Sequence, residues 1–598
     1  NAYWTFNGNG TTLVAWPGAG NSATFGGSDG SYTITVSGTQ AVDSISFLND
    51  GYTLTGGTLN FGNKNGLLVA SGKTATIKSV ITGTGGLNIQ AKDTSSRAIL
   101  ILEGANTYTG VTTIGRNIRL NVNSMSNGGS PGSIGASTSG AANLVIDGGQ
   151  YRLTGGASST NRLFTLTEKN GYLYSSGSGA MRFTDTGAIA FSGSGARILE
   201  FGGNFTGDTN SFSPRIDNGN GGATALEKTG PSIWILNGAN TFTGGVTIKE
   251  GILKAGNEQA FGNFDNTITV NSGAALDVNG LDLRGYTKGI VINGQVDENT
   301  GAIINTGAEQ TSAIRKISLG SDATFGNKGN RFDIGRGYSD SVCIEGNNNT
   351  LTIVTNYMGL LGKARSLKEL IIKSGQLSVE NDSAAGTAPI TIDSGATFVS
   401  WGDRVFHNDI NIKNNGSLLS PYDTGHTFTT VHNGTITVDG NATIRNPVRK
   451  NTMTIAGVIT GSGNVTVSGD GGVVIFSNNN TYTGTTTVTL CTLQIGDGGT
   501  TGSILTNVTN NHVLRFNRSN AYTYGRVISG TGTVIKTGTG TLTLSDTNTY
   551  TGPTTVSSGT LNVTGSLASG SAVRVIGTLT GTGTVAGTVD ASGGTIAP

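Results

Sequence analysis

The amino-acid sequence predicts an all-β solenoid, in which short strands wind into coils and each coil buries its apolar face against its neighbours. Three observations lead to this prediction. The string Asn-Thr-Tyr/Phe-Thr-Gly occurs four times, beginning at Asn106, Asn240, Asn480 and Asn548. The string Ile/Leu-Thr/Ser-Gly-Thr/Ser-Gly also occurs four times, beginning at Ile81, Ile459, Ile528 and Leu579. Glycine supplies 97 of the 598 residues, roughly twice its usual share, and it separates runs that alternate threonine with aliphatic residues.

The spacing of the two strings gives the length of one coil. The second string precedes the first by 25 residues in the copy that begins at Ile81, by 21 at Ile459 and by 20 at Ile528. A coil of about 20 to 25 residues lies in the range of repeat architectures. With about 4.8 Å between coils, the chain would form about 27 coils in an elongated rod of about 130 Å.

One copy shows how these residues make a coil. Leu542 and Leu544 alternate with Thr541 and Thr543, which is the period of two that a strand with one buried face requires. Glycine provides the corners, where the backbone needs a positive φ. We expect Asn548 to bond to its own turn and to stack on an equivalent asparagine one coil away.

Charge and composition exclude several classes of protein. Charged residues are 12% of the chain and the net charge is +1, and no basic run of the kind that binds nucleic acid or an anionic membrane is present. No stretch approaches 18 consecutive apolar residues, so no membrane-spanning helix is predicted. The chain begins at Asn1 without methionine, which indicates a processed, exported polypeptide.

The two cysteines are predicted not to pair with each other. Cys343 and Cys491 are 148 residues apart, which places them about 30 Å apart along a solenoid. A disulfide requires Cα atoms within about 7 Å. A bridge from either cysteine to a second chain stays open.

Four segments are predicted from changes in the pattern. Residues 1–70 form an N-terminal cap with the first coils, and residues 71–345 form a looser solenoid. Residues 346–450 form an irregular solenoid with projecting loops, and residues 451–598 carry the most regular repeats. Residues 364–370 fit either one helical turn or the start of a strand. The first segment is rich in aromatic residues, namely Tyr3, Trp4, Phe6, Trp16, Phe25 and Tyr32.

The repeated strings resemble the autotransporter-associated β-strand repeat, also called the passenger-associated transport repeat. The similarity is strongest over residues 451–598, and it departs from the pattern at Cys491 and His512, where members of the family carry glycine. The resemblance implies a right-handed parallel β-helix passenger, secreted to the bacterial outer surface and used for adhesion, aggregation, biofilm formation or as a stalk. A translocator usually follows such a passenger, so we expect a passenger portion or a released fibre subunit.

Few residues suggest catalytic or metal chemistry. Three histidines lie within 26 residues, close to several aspartates, and could stack on one face. Such a group can hold a metal or act in acid–base catalysis. A lyase-like solenoid would also use clustered acids. The sequence shows no geometric arrangement of these residues. We therefore interpret them as surface groups and predict no catalytic, metal or cofactor site. The residues concerned are His407, His426, His432, Asp393, Asp403, Asp409 and Asp423, and the fourth histidine is His512.

The repeat motif supplies the candidate functional residues, and their predicted role is structural. Its aromatic position can either stack sugars on the surface or pack into the repeat core, and we favour packing. The motif residues are Asn106, Tyr108, Gly110, Asn240, Phe242, Gly244, Asn480, Tyr482, Gly484, Asn548, Tyr550 and Gly552.

The predicted function is that of a non-enzymatic extracellular protein, a stalk or fibre for adhesion or self-association. The predicted partners are further copies of the chain, joined through solenoid ends or faces into an oligomer or filament, and surface glycans, with no nucleic acid. The alternative is a carbohydrate-binding or polysaccharide-lyase-like β-helix, whose acids and aromatic residues would cluster on one face of residues 346–450.

Overall fold

The computed structural model describes residues 15–326 and 329–597, and strands make up nearly all of their regular structure. Within these residues the one helical element is a short 3-10 turn, Ala141–Asn143. The chain divides into two compact units, Asn1–Ile290 and Val291–Pro598. Each unit is a stack of coils built from parallel strands, and the coils of the two units together number about 26. The predicted all-β solenoid is therefore confirmed.

The first unit contains strands β1 to β28. In chain order they are Ser22–Phe25, Tyr32–Thr35, Thr39–Ala41, Ser44–Phe47, Tyr52–Thr55, Thr58–Asn60, Gly66–Val69, Thr74–Ile77, Val80–Thr82, Leu87–Ala91, Ala98–Leu102, Thr112–Gly115, Ile118–Val122, Leu144–Asp147, Gln150–Leu153, Ser158–Thr160, Thr165–Thr167, Gly171–Ser175, Met181–Phe183, Ala190–Ser192, Arg197–Gly202, Asn210–Phe212, Thr224–Lys228, Ile233–Leu236, Val246–Ile248, Gly251–Ala255, Ile268–Val270 and Ala274–Asp277.

Strands β29 to β65 follow. In chain order they are Ile290–Asp297, Thr300–Gly301, Ile303–Ile304, Gln310–Ile314, Ile317–Phe325, Phe332–Ile334, Val342–Leu360, Lys363–Val379, Ile390–Ile392, Thr397–Ser400, Arg404–Phe406, Ile410–Ile412, Gly416–Leu419, Thr429–His432, Ile436–Val438, Asn441–Asn446, Thr452–Ile455, Ile459–Gly461, Asn464–Gly469, Val473–Phe476, Thr486–Thr489, Thr492–Ile495, Val508–Asn510, Val513–Phe516, Tyr522–Tyr524, Ile528–Ser529, Thr533–Lys536, Thr541–Leu544, Thr547–Asn548, Thr554–Val556, Thr560–Val563, Ser566–Leu567, Val573–Val575, Thr578–Thr580, Thr584–Val585, Val589–Asp590 and Thr595–Ala597.

In the first unit, each strand pairs with the strand at the same place in the next coil. One sheet runs β1-β4-β7-β10-β12-β14-β17-β20, and a second includes β8-β11-β13-β15-β18-β21-β23. The inward positions of the second sheet stack one above another as Leu100, Leu120, Tyr151, Leu173 and Phe201. All five side chains are fully buried. The interior of the coils is therefore a continuous apolar column, and the period-two alternation of the sequence sets which residues enter it.

In the second unit, ten strands form one continuous sheet, β39-β42-β45-β48-β50-β52-β55-β58-β61-β64. Strands β35 and β36 are long, and they pair in parallel with several shifts of register. Residues 364–370, which fit a helical turn or a strand, lie within β36. The pair β29 and β30 is antiparallel.

Aromatic residues near the start of the described chain stack between successive coils. The ring of Phe25 lies 5.2 Å from that of Phe47, and the ring of Tyr32 lies 4.8 Å from that of Tyr52. These residues are therefore part of the coils themselves. Trp16 donates from its indole Nε1 to the backbone oxygen of Ala41 at 2.8 Å. The other three aromatic residues on which the cap prediction rests, Tyr3, Trp4 and Phe6, lie outside the described residues, and the four-segment division stays a prediction.

Neighbouring coils approach each other closely at some corners. A Cβ atom added to Gly155 would lie 1.9 Å from the backbone oxygen of Asn123 in the preceding coil, whereas one added to the adjacent Gly156 would have no heavy atom within 4 Å. Neither glycine has a positive φ. Glycine is required at position 155 because the backbone of the preceding coil occupies the space of a side chain.

We predict that Gly155→Ala lowers the free energy of unfolding by about 2 kcal/mol or more, since the coils must separate to admit the methyl group. Gly156→Ala is the matched control and should change it by less than about 0.5 kcal/mol. Denaturant unfolding followed by circular dichroism measures both. Equal stability of the two variants would contradict the close approach.

Candidate functional site

The asparagine of the repeat motif connects three successive coils. In each of the four copies it is buried, and its Oδ1 accepts a hydrogen bond from a backbone N–H one coil back. The N–H groups belong to Ile81, Ile216, Ile459 and Ile528, at 2.8, 2.8, 2.8 and 2.9 Å. Its Nδ2 donates to a backbone oxygen one coil ahead, of Ser133, Ala260, Ser503 and Ser566, at 2.8, 2.6, 3.0 and 3.3 Å.

The predicted stacking of Asn548 on an equivalent asparagine is wrong. Its register partner in the next coil is Leu567, and its side chain bonds to backbone atoms of Ile528 and Ser566. The predicted bond within its own turn is present, because Nδ2 also lies 2.9 Å from the oxygen of Asp546. The three bonds of the Asn548 side chain therefore all go to backbone atoms, of Ile528, Asp546 and Ser566.

The aromatic residue of the motif lies inside the coil, as the packing interpretation predicts. Its ring has no exposed surface in any of the four copies, so it cannot stack a sugar. Three copies have tyrosine, whose hydroxyl bonds to the threonine four residues later, and the fourth has Phe242 with Val246 at that place. The bonded pairs are Tyr108–Thr112, Tyr482–Thr486 and Tyr550–Thr554, at 2.7, 2.6 and 2.6 Å.

The glycine of the motif is required by a close approach, not by its φ. A positive φ was the expected reason for corner glycines, but Gly110, Gly244, Gly484 and Gly552 do not have one. A Cβ atom at these positions would lie 2.4, 2.5, 2.2 and 2.2 Å from backbone atoms of the preceding coil. At the motif glycine, the backbones of two successive coils are therefore in close contact.

Two buried lysines were missed in the sequence. Lys228 and Lys536 each occupy the last inward position of a strand, and each is followed by Thr-Gly. The Nζ of Lys228 donates to the backbone oxygens of Thr229, Gly230 and Glu250, at 2.9, 2.6 and 3.0 Å. Burial lowers the pKa of Lys228 to about 7 and also lowers that of Lys536. The available signal was the Lys-Thr-Gly string at an inward position, which both copies share.

The three neighbouring histidines do not come together in one site. His432 is buried, with Nε2 3.1 Å from the hydroxyl of Ser400 and its ring stacked on Phe406. Burial lowers the pKa of His432 to about 3. His426 is exposed and lies 2.7 Å from Asp423, a contact that holds the pKa of Asp423 below its usual value. His407 contacts the amide of Asn433 instead, at 3.4 Å.

The neighbouring acids already serve the backbone. A carboxylate oxygen of Asp403 accepts the N–H of Thr429 one coil ahead, at 2.7 Å, and Asp409 does the same for Thr435 at 2.8 Å. Asp393 accepts the adjacent N–H of Ser394. Over residues 15–326 and 329–597, no group of three or more His, Cys, Asp and Glu side chains is placed to hold a metal ion.

Both cysteines are free and buried. Burial raises the pKa of Cys491 to about 12, so its thiol stays protonated. The carbonyl of Cys491 lies 2.9 Å from Nδ1 of His512, one coil ahead. The positive φ at this corner belongs to Leu490, at 57°, so the backbone strain that glycine would relieve falls next to Cys491.

Comparison with known proteins identifies the repeats. The passenger-associated-transport-repeat family matches residues 98–115, 226–255, 460–495 and 534–563, and each match contains one copy of the five-residue motif. The chain carries passenger-associated transport repeats. It is also similar to the adhesin BmaC autotransporter of Brucella suis biovar 1 (strain 1330), with 42% identity over 159 residues.

The shared segment is 26% of this chain and 5% of that relative, so the likeness covers a small part of the larger protein. No solved structure matches the chain significantly. The passenger repeats assign the chain to the bacterial outer surface. None of the helical residues that the structure describes forms a segment long and apolar enough to span a membrane.

We predict that Asn548→Ala lowers the free energy of unfolding by about 1 to 3 kcal/mol, because the buried N–H of Ile528 loses its acceptor. Asn562→Ala is the control, since Asn562 faces outward and bonds only to the hydroxyl of Thr543. Its expected effect is below about 0.5 kcal/mol. Denaturant titration compares the two, and a harmless Asn548→Ala would show that the bridge between coils adds nothing.

We predict that His432 makes the fold sensitive to acid. Its pKa is about 3 in the folded chain and about 6.5 when unfolded, so between these values the unfolded chain binds the extra proton. Stability from this group is present above pH 6.5 and is lost as the pH falls towards 3. Between pH 7.5 and 4.5 the loss is about 2 to 3 kcal/mol.

Unfolding midpoints at the two pH values test this prediction. His432→Phe should lose less stability on acidification than the wild type, whereas His407→Gln, on an exposed histidine, should behave like the wild type. An unchanged acid response in His432→Phe would assign the sensitivity to other groups.

Proposed function

We propose that the chain is a non-enzymatic adhesive passenger, a coiled stalk that holds contact surfaces at the outside of the bacterial cell. The observation that carries this proposal is the coincidence of the four matched repeats with the four motif corners, together with the similarity to a protein named as an adhesin. Regular coils pair through their backbones, which leaves the outward side chains free to vary for binding.

The placement of the chemically reactive side chains supports a role without catalysis. Asp403 and Asp409 are used by backbone N–H groups, and His432 is buried in its neutral form. A general acid or base must reach the substrate with a titratable group. This placement counts against the lyase alternative, for which Asp403 was one of the candidate acids.

Self-association is a further part of the proposal. The net charge of +1 gives little repulsion between copies, and outward threonines alternate with buried residues in strands such as Thr541–Leu544. Electron microscopy of the purified chain distinguishes a self-associating fibre from a stalk that does not self-associate. Filaments would support a fibre, whereas isolated particles would limit the role to a stalk.

We predict that beads coated with the purified chain adhere to cultured epithelial cells or to polystyrene more strongly than beads coated with albumin. The retained beads are counted after washing under flow. Chain unfolded before coating serves as a second control, because the proposal requires the coiled surface. Equal retention of folded-chain and albumin beads on both surfaces would overturn the adhesive role.

A further inference from the structure

Three arginines gather on the outer face of one sheet in the first unit. Arg119 lies on β13 and Arg152 on β15, at outward positions of successive coils, and Arg97 directly precedes β11. The register pairs Arg119 with Gln150 and Asn121 with Arg152. Two cations and two amides therefore alternate over two neighbouring strands.

No carboxylate of the described chain forms an ion pair with these three guanidinium groups. Arg119 donates from Nε to the amide oxygen of Gln150 at 2.8 Å. The Nε of Arg152 and the Oδ1 of Asn121 are buried without a partner in the protein. Burial, followed by the positive charges of Arg152 and Arg97, lowers the pKa of Arg119. These three guanidinium groups therefore lack an ion pair in the described chain, and Glu200, a carboxylate on the same face, bonds to the Tyr174 hydroxyl instead.

Two tyrosines continue the same face in the next coil. Tyr172 pairs with Gln150 and Tyr174 pairs with Arg152 in the register of β15 and β18. The guanidinium of Arg97 lies 5.7 Å from the centre of the Tyr172 ring. The Tyr174 ring lies across Gly202, where a Cβ atom would be 2.7 Å from its Cζ.

The Tyr174 ring is also fixed at its hydroxyl. This hydroxyl bonds to Glu200, which accepts a second hydrogen bond from Thr229 at 2.7 Å. Both tyrosines are half-buried, so each ring is supported by the sheet and keeps part of its surface open to solvent. Supported aromatic rings beside unpaired cations are suited to a ligand that has both flat apolar faces and negative charge.

We propose that this arginine–tyrosine face, defined by Arg97, Arg119, Arg152, Tyr172 and Tyr174, binds an acidic polysaccharide. Its carboxylate or sulfate groups would pair with the guanidinium groups, whose planar forks match such oxyanions. Its sugar rings would stack on the tyrosines. The inference rests on the proposed adhesive function and gives it a ligand class.

The dimensions and the charge favour a polysaccharide over nucleic acid. Successive coils are about 4.8 Å apart, close to the length of one pyranose unit, so neighbouring coils can contact neighbouring sugars. Nucleic-acid binding commonly neutralises about six to ten phosphates, whereas this face offers three cations on a chain of net charge +1.

The test is equilibrium binding of the full chain to four oligomers of matched length at low salt. Polygalacturonate tests carboxylates, a heparin fragment tests sulfates, dextran tests neutral sugars, and single-stranded DNA tests nucleic acid. We expect one or both acidic polysaccharides to bind, and Arg119→Gln combined with Arg152→Gln to weaken this binding by about tenfold or more. Tyr172→Ala should weaken it as well.

The matched control is Arg574→Gln, which removes an exposed outward arginine from a strand of the second unit and should leave binding unchanged. Arg97→Gln, at an exposed position outside the strands, repeats the test if the double variant does not fold. Wild-type affinity of a folded Arg119/Arg152 variant, or DNA binding as tight as that of the acidic polysaccharides, would overturn the inference.

The bead assay distinguishes failure of this inference from failure of the proposed function. If beads adhere while neither acidic polysaccharide binds, the inference is overturned and the adhesive function stands. If an acidic polysaccharide binds at this face while the beads do not adhere, the inference stands and the adhesive function is overturned.

Discussion

The pairing of each coil with the coils before and after it is the constraint on which the rest of this structure depends. A parallel strand satisfies its backbone groups only through its neighbours, so no coil is stable alone. The inward ladder from Leu100 to Phe201 exists because that pairing keeps equivalent positions in line. The corner glycines follow from the same constraint, because the strands can pair only if the corners also come close.

The repeat motif solves a problem that this pairing leaves at the corners. At the start of short strands such as β54, a buried backbone N–H such as that of Ile528 points to a side chain in the next coil, and leaving it unsatisfied would be costly. The side chain of Asn548 supplies the acceptor. Lys228 plays the opposite part, since its ammonium group donates to three corner oxygens. Buried polar side chains here complete the backbone hydrogen bonding, which explains their recurrence in the repeats.

The use of polar side chains for backbone hydrogen bonding also affects which residues are available for function. Carboxylates that could have formed an acid–base pair, such as Asp403 and Asp409, hold the backbone of the next coil. Ligand binding therefore requires polar groups that are left without partners in the protein. The outer face around Arg119 and Arg152 is such a place. Its cations meet amides and aromatic rings, and among residues 15–326 and 329–597 no carboxylate forms an ion pair with them. Outward side chains can bind a ligand without any change in the strand pairing or the buried residues of the coil.

The sequence by itself determined the fold class, the coil length and the repeat family, because strand alternation and corner residues are local patterns. It also indicated that the motif aromatic residues belong to the core. The tertiary structure decided which side chains meet between coils. The register partners Arg119 and Gln150 are 31 residues apart in the sequence, whereas the register partners Tyr32 and Tyr52 are 20 residues apart. Since coil lengths vary in this way, sequence spacing does not give the register, and neither the backbone partners of Asn548 nor the gathering of the three arginines could be predicted.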